Sequence, residues 1–339
     1  MIVRIYKLRG GATVCGKKEI SNEDQTKLKE IFLPYANKRR IDFNKSNKLL
    51  AYYTTADTAY KIMQNKEIWM RNVTVMNDYK EVLYGINKIN SLFLKNVYQE
   101  ETILNKAGQR LYKVLQEFTD ESGNVIIDDV LNQYFLEQTS WEYNAYISCF
   151  TEHDTDEDGL GRLSMWRAYG GDNGITIVFD PRKYAENLEE KYKIYLTPVA
   201  YLTDKELATE VEELAVNINK DFLHEVKQRD PQILHNWLMA VLRFAIVSIK
   251  HPGFKEEKEW RLVGHGYDLA CETEVIRGVI QPVHKLEISN LREMLHHIII
   301  GPTQYENVIF KEFEKILKEK YYMPRSDTLI VSSRIPYRK

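Results

Sequence analysis

Apolar and polar positions along this chain follow two periods, and the switches between them mark its elements. Runs of strand length fall at Lys48 to Thr55, Ile68 to Arg71, Asn144 to Phe150, Gly174 to Asp180, Leu196 to Tyr201, Trp260 to Val263, His297 to Ile300 and Thr328 to Val331. Between them, apolar residues recur at helical spacing over Ala56 to Asn65, with Thr54 or Thr55 as N-cap, and across Glu81 to Phe135 through Leu83, Ile86, Ile89 and Leu92. The same spacing predicts helices over Leu163 to Tyr169, Thr203 to Lys220, Pro231 to Lys250 and Val308 to Lys320. Gly170-Gly171 and Pro181 break the pattern, and Thr151 to Gly161 is polar enough to read as a loop. Residues 1–45 read as an N-terminal extension, with a break at Gly10-Gly11 and an amphipathic helix from Asn22 to Ala36. With no internal repeat, residues 46–339 are expected to form a single catalytic-like α+β domain, with small mixed or antiparallel central sheets flanked by helices and helical insertions near 81–140 and 203–250.

Composition narrows the partners. The 339 residues carry a formal net charge of −2, so no overall basic field holds the chain on nucleic acid or an acidic membrane. Cys15, Cys149 and Cys271 are far apart and odd in number, which predicts reduced thiols rather than a disulfide framework or a zinc site. The N-terminus lacks the apolar stretch of a secretory signal and no window has the apolar length of a membrane span, so a bacterial-type cytoplasmic protein is expected.

The densest chemistry follows the segment breakers His251-Pro252-Gly253-Phe254. Glu257 and Glu259 stand two apart at the start of a predicted strand, so their carboxylates are expected side by side on one face, with Arg261 next in the row. Asn77 and Asp78 suit a helix start, with Glu81 closing a capping box; the alternative is a set of oxygen ligands for a divalent cation. Trp166 and Tyr169 share a helical face, either as core or as a stacking surface beside Gly170-Gly171. The acidic run Glu152, Asp154, Asp156, Glu157, Asp158 lacks calcium-loop spacing and reads as a mobile solvated loop, and the histidines read as turn or strand residues, so no metal is expected. Zinc-peptidase, nucleophile-elbow and P-loop motifs are absent from the sequence.

Several segments in order resemble one bacterial family, catalogued as domain of unknown function 2971. They are Ala51 to Ala59, Met76-Asn77-Asp78-Tyr79-Lys80-Glu81, Ser164 to Tyr169 followed by Gly174 to Phe179, Lys250 to Arg261, and Ile298-Ile299-Ile300-Gly301, together spanning about 48–302. Tyr79 stands where that family usually has proline, and Phe254 where it usually has tryptophan.

A more distant resemblance is to arginine-directed ADP-ribosyltransferases of the Glu-x-Glu type. It rests on Tyr53, the strand end Ser148-Cys149-Phe150-Thr151 and Glu257-Lys258-Glu259, in that order, although one serine stands for a Ser-Thr-Ser triplet and Tyr53 for an arginine or histidine. The resemblance implies NAD as substrate, with ADP-ribose passed to a protein or nucleic-acid acceptor or to water, and by analogy a role in toxin action or phage defence. Glu259 would stabilise the oxocarbenium-like ribose and Glu257 would accept the nucleophile's proton. Tyr53 or Tyr169, with Trp166, would stack on nicotinamide; Ser148 would bond a ribose hydroxyl, Asn77 would order the pocket, and Arg261 would be either a salt-bridge partner of Glu259 or a pyrophosphate ligand. Two other readings are a non-enzymatic module holding a nucleotide or peptide against Tyr53, Trp166 and Tyr169, and a metal-assisted nuclease built on Asp78, Glu81, Glu257 and Glu259.

Overall fold

The computed structural model describes residues 20–76, 79–94, 102–183, 193–266, 268–323 and 326–336. Strand β3 (Ala145–His153) is the trunk of a ten-stranded sheet. One edge of β3 pairs antiparallel with β6 (Glu259–His265), from Ala145 opposite His265 to Thr151 opposite Glu259, and β5 (Tyr195–Pro198) adds to β6. The other edge is shared: β1 (Leu49–Thr55) pairs with its final three residues and β2 (Glu67–Asn72) with Tyr146 and Ile147. From β1 the sheet continues through β4 (Gly174–Phe179), β9 (Leu295–Ile300) and β10 (Ile330–Ser332); from β2 it continues through β8 (Val279–Glu287) to β7 (Glu272–Ile276). The pairings are antiparallel except for β9 with β10, so the α+β class holds, with one branched mixed sheet in place of several small ones.

Helices cover both faces. On one face α4 (Tyr79–Phe93), α5 (Ile103–Leu115), α6 (Ile126–Glu142), α8 (Asp204–Asn217), α9 (Lys220–Arg229) and α10 (Ile233–Ser248) bury Ala145, Ile147, Tyr195 and Val263 in the largest core. The two expected insertions therefore form a single helical layer. On the other face α3 (Ala56–Asn65) and α12 (Glu306–Glu319), which follows the one-turn helix α11 (Leu291–Met294), pack on Phe150, Ile175, Trp260 and Ile298. A smaller third core joins Leu49, Ala51, Tyr53, Val178 and Ile299 to Met165 and Trp166. These last two lie on α7 (Leu163–Met165) and the wider π turn Trp166–Gly170 that continues it.

Local chemistry explains where the elements depart from expectation. The first helix breaks at Leu33 before Pro34, giving α1 (Asn22–Phe32), closed by a Ser21 and Asp24 capping box, and α2 (Pro34–Lys45). Leu28, Ile31 and Phe32 of α1 enter the largest core and Phe43 of α2 the opposite one, so this part of the expected extension packs as body. β7 and β8 form a hairpin that apolar runs did not reveal, turned by Arg277 at φ 51° and Gly278 at φ 78°. β3 continues three residues beyond Phe150, because Thr151 and Glu152 still find partners on β6 and β1, and the buried Glu152 carboxylate is met by Arg39, by Lys48 at 3.0 Å and by the Trp260 indole N–H at 3.0 Å.

Among the described residues no helix is long and apolar enough to cross a membrane.

Candidate functional site

Pleating sorts the side chains of β3 and β6 between the two faces. Cys149 lies opposite Arg261 and Thr151 opposite Glu259, so these four share the face covered by α4 and α10. Ser148 lies opposite Leu262 and shares the other face with Phe150 and Trp260. It therefore stands across the sheet from Glu259.

Five charged side chains converge where β6 begins. Arg261 donates through Nε to Glu259 Oε1 at 2.7 Å and through Nη2 to Glu259 Oε2 at 3.0 Å and Glu81 Oε2 at 2.8 Å, while its Nη1 binds the Val247 carbonyl at 2.6 Å. Lys250, only 1% exposed, places Nζ 2.5 Å from Glu81 Oε1, 2.6 Å from Glu257 Oε2 and 3.3 Å from Glu259 Oε2. Glu81 thus reaches both cations of the cluster, while Asp78, its expected capping-box partner, lies outside the described residues. The cluster holds three carboxylates against two cations, and the Lys250 ammonium fills the place between the acids that a divalent cation would need.

The paired-carboxylate expectation holds in space but not by the expected route. Pro252–Glu257 is a 3₁₀ turn and Lys258 is left-handed at φ 45°, so Glu257 is not in the strand with Glu259. Lys250 brings the two acids together instead. Their bound oxygens lie within about 6 Å of each other, because both reach one Nζ.

Burial alone would raise the Glu259 carboxyl, but the charge and hydrogen bonds of Arg261, followed by the charge of Lys250, hold it down at about 2. Lys250 is shifted upward: burial opposes its charge, and Glu259 and Glu81 outweigh burial. The Cys149 thiol is pushed well up by burial and then by the Glu259 charge, so it stays protonated beside the carboxylate. The Glu259 N–H donates to the Tyr201 hydroxyl at 2.9 Å.

Tyr53, Trp166 and Tyr169 form a second group. Tyr53 meets the Trp166 ring edge-on at 4.8 Å, burial pushes its phenol up to about 12, and its hydroxyl accepts the Arg162 N–H at 2.8 Å. Trp166 is buried, with its indole N–H on the Leu160 carbonyl at 3.0 Å, and a Cβ at Gly174 or Gly301 would come within 2.8 or 2.9 Å of its ring. The Trp and Gly motifs are therefore one packed wedge, and the Trp166 ring is not a free stacking surface. Tyr169 packs, half-buried, on the same core.

Arg162, which sequence reasoning passed over, links the two groups. Its guanidinium donates to Thr151 Oγ1 at 2.7 Å, the Glu256 carbonyl at 2.9 Å and the Glu152 carbonyl at 2.9 Å, and it pairs with Glu157 at 2.8 Å. Thr151 in turn donates to the Glu257 carbonyl. The acidic segment is consequently folded rather than solvated: Asp154 and Glu157 close a capping box, Lys258 pairs with Asp154 at 2.7 Å, and Asp158 lies 2.7 Å from His153. Asn77 and Asp78 lie outside the described residues.

A family model described as a protein of unknown function, DUF2971, matches residues 165–262. The match takes in Trp166, Lys250, Glu257, Glu259 and Arg261; it leaves out Tyr53, Glu81, Ser148 and His297. No curated protein and no solved structure matches the chain. The two departures noted from that family suit their surroundings. α4 begins at Tyr79, where proline would fit a first helical turn, and the Phe254 ring lies 4.8 Å from Lys250 Nζ, a cation–π contact that tryptophan would also make.

Proposed function

We propose that the chain cleaves the N-glycosidic bond of a nicotinamide dinucleotide, releasing nicotinamide and passing ADP-ribose to water or to a protein or nucleic-acid acceptor. The observation that carries this reading is the Glu257 and Glu259 pair, two carboxylates within about 6 Å on one lysine, one buried and held ionised, the other on a surface turn. Carboxyl pairs at about this separation flank scissile glycosidic bonds.

In the step, the bond from C1′ to the nicotinamide nitrogen breaks and its electron pair leaves with nicotinamide. The positive charge left on the ribosyl ring faces the Glu259 carboxylate. Water or another nucleophile then forms the new bond at C1′ while its proton passes to Glu257. Glu259 has only to remain charged, which Arg261 and Lys250 ensure. Phe254, on the 3₁₀ turn beside the cluster, is 44% exposed and is an aromatic ring beside Lys250 that a bound nicotinamide could meet. Hydrolysis of NAD would draw on a cell's cofactor pool, which is how the reading connects to a toxin or phage-defence role.

The test is nicotinamide release from NAD by the purified chain. Glu259→Gln leaves two carboxylates against two cations, so the fold should persist while release falls by at least about 100-fold; Glu257→Gln should lower release by about 10 to 100-fold. Equal release from wild type and Glu259→Gln, or none from the folded wild type, would sink the reading.

A further inference from the structure

Four residues along β3 from Cys149, His153 ends the strand on the same face. It is 1% exposed, and its Nε2 lies 2.7 Å from Asp158 Oδ1. His297 on β9 is 5% exposed and places Nε2 3.6 Å from the same Asp158 oxygen. One donor atom from each of the three residues lies within 4.8 Å of the other two.

Two ring nitrogens here, His153 Nδ1 and His297 Nε2, are buried without a hydrogen-bond partner. An uncompensated buried polar atom is costly, and a ligand is one way to satisfy His297 Nε2, while His153 Nδ1 faces Glu157. We propose that His153, Asp158 and His297 bind a divalent transition-metal ion of the zinc class, through two imidazoles and one carboxylate, with a further coordination position open to solvent beside Asp158.

The dimensions suit such an ion. Metal-to-ligand bonds of about 2.0 to 2.1 Å in a tetrahedron put neighbouring donors about 3.3 Å apart. The two distances to Asp158, 2.7 and 3.6 Å, bracket that value. Asp158 is on a turn with its side chain 42% exposed, so the small adjustment falls on the most movable donor.

Polar groups stand behind both imidazoles, where a metal site holds its ligands. His297 Nδ1 lies 2.7 Å from His296 Nδ1, and with the proton of that contact on His297 its Nε2 lone pair points inward. Glu157 Oε2 lies 3.7 Å from His153 Nδ1 and is fixed by Arg162. When the ion takes His153 Nε2, the ring proton moves to Nδ1, towards Glu157.

The experiment uses the full chain, stripped with chelator and titrated with zinc alone, away from any nucleotide. One zinc per chain is expected, and cobalt in its place should give the visible absorption of a low-symmetry nitrogen and oxygen site. Asp158→Ala and His297→Gln should each weaken zinc by at least about tenfold, whereas His235→Ala, on a surface pair with Asp129, should leave it unchanged. Less than stoichiometric zinc in wild type, or wild-type affinity in Asp158→Ala, overturns the proposal. Should His297→Gln fail to fold, Asp158→Ala and the wild-type cobalt spectrum decide it.

Discussion

The cluster around Lys250 and the group around His153 share one face of one strand, yet they are opposites. Around Lys250 the acids and cations pair within 3.3 Å, and the guanidinium of Arg261 is held on three sides. Around His153, two buried nitrogens have no hydrogen-bond partner and the carboxylate faces solvent. A saturated cluster provides a fixed field and resists change of protonation; an unsaturated one has coordination to give. The difference teaches that charge density alone does not mark a binding site. The two regions suit different ligands: ionised carboxylates held by fixed cations favour a developing positive charge, and buried ring nitrogens without a partner favour a metal ion.

The contrast can be broken most directly at Lys250. Lys250→Met removes the cation that Glu81, Glu257 and Glu259 share, and should cost about 3 to 5 kcal/mol in urea or thermal unfolding, as breaking a buried ion pair does. His297→Gln in the metal-free chain should cost far less; equal losses would erase the distinction.

A smaller effect should appear in acid. Glu259 is held at about 2 in the folded chain against 4.5 when unperturbed, so the stability it adds is complete above about pH 4.5 and is lost as pH falls towards 2. That loss is on the order of 3 kcal/mol. In Glu259→Gln, this part of the acid dependence should vanish from a series of unfolding curves.

Gly301→Ala gives the smallest change, about 1 to 3 kcal/mol, because its Cβ would meet the Trp166 ring at 2.9 Å. It should lower the melting temperature without altering nicotinamide release. Loss of release at unchanged stability would return Trp166 to the reaction and blur the line between wedge and site.

The sequence shows some of this and hides the rest for identifiable reasons. The Glu259 and Arg261 row is legible because i and i+2 on a strand always share a face. Glu257 is not, because the left-handed Lys258 breaks the strand before it. Ser148 is one position off the face that carries Cys149, Thr151 and His153, and only pairing with β6 reveals which face is which. Glu81 reaches Arg261 across 180 residues, a contact that no local pattern encodes. His153 hides in an acidic run that reads as loop, since its strand state depends on Leu49 opposite it. The β7 and β8 hairpin did leave a trace in Arg277-Gly278, a two-residue turn ending in glycine.

The shared edge of β3 has a consequence for how this protein can change. β6 on one side and β1 and β2 on the other each fix the same alignment, and inserting or deleting one residue within β3 would send Cys149, Thr151 and His153 to the side that now holds Ser148, Phe150 and Glu152. Such an event would exchange the side chains that face the Lys250 cluster for those that face Trp260 along the trunk of the sheet. Descendants of this chain can therefore acquire new chemistry there only by substitution, one alternate position at a time, while insertions are confined to the loops at either end.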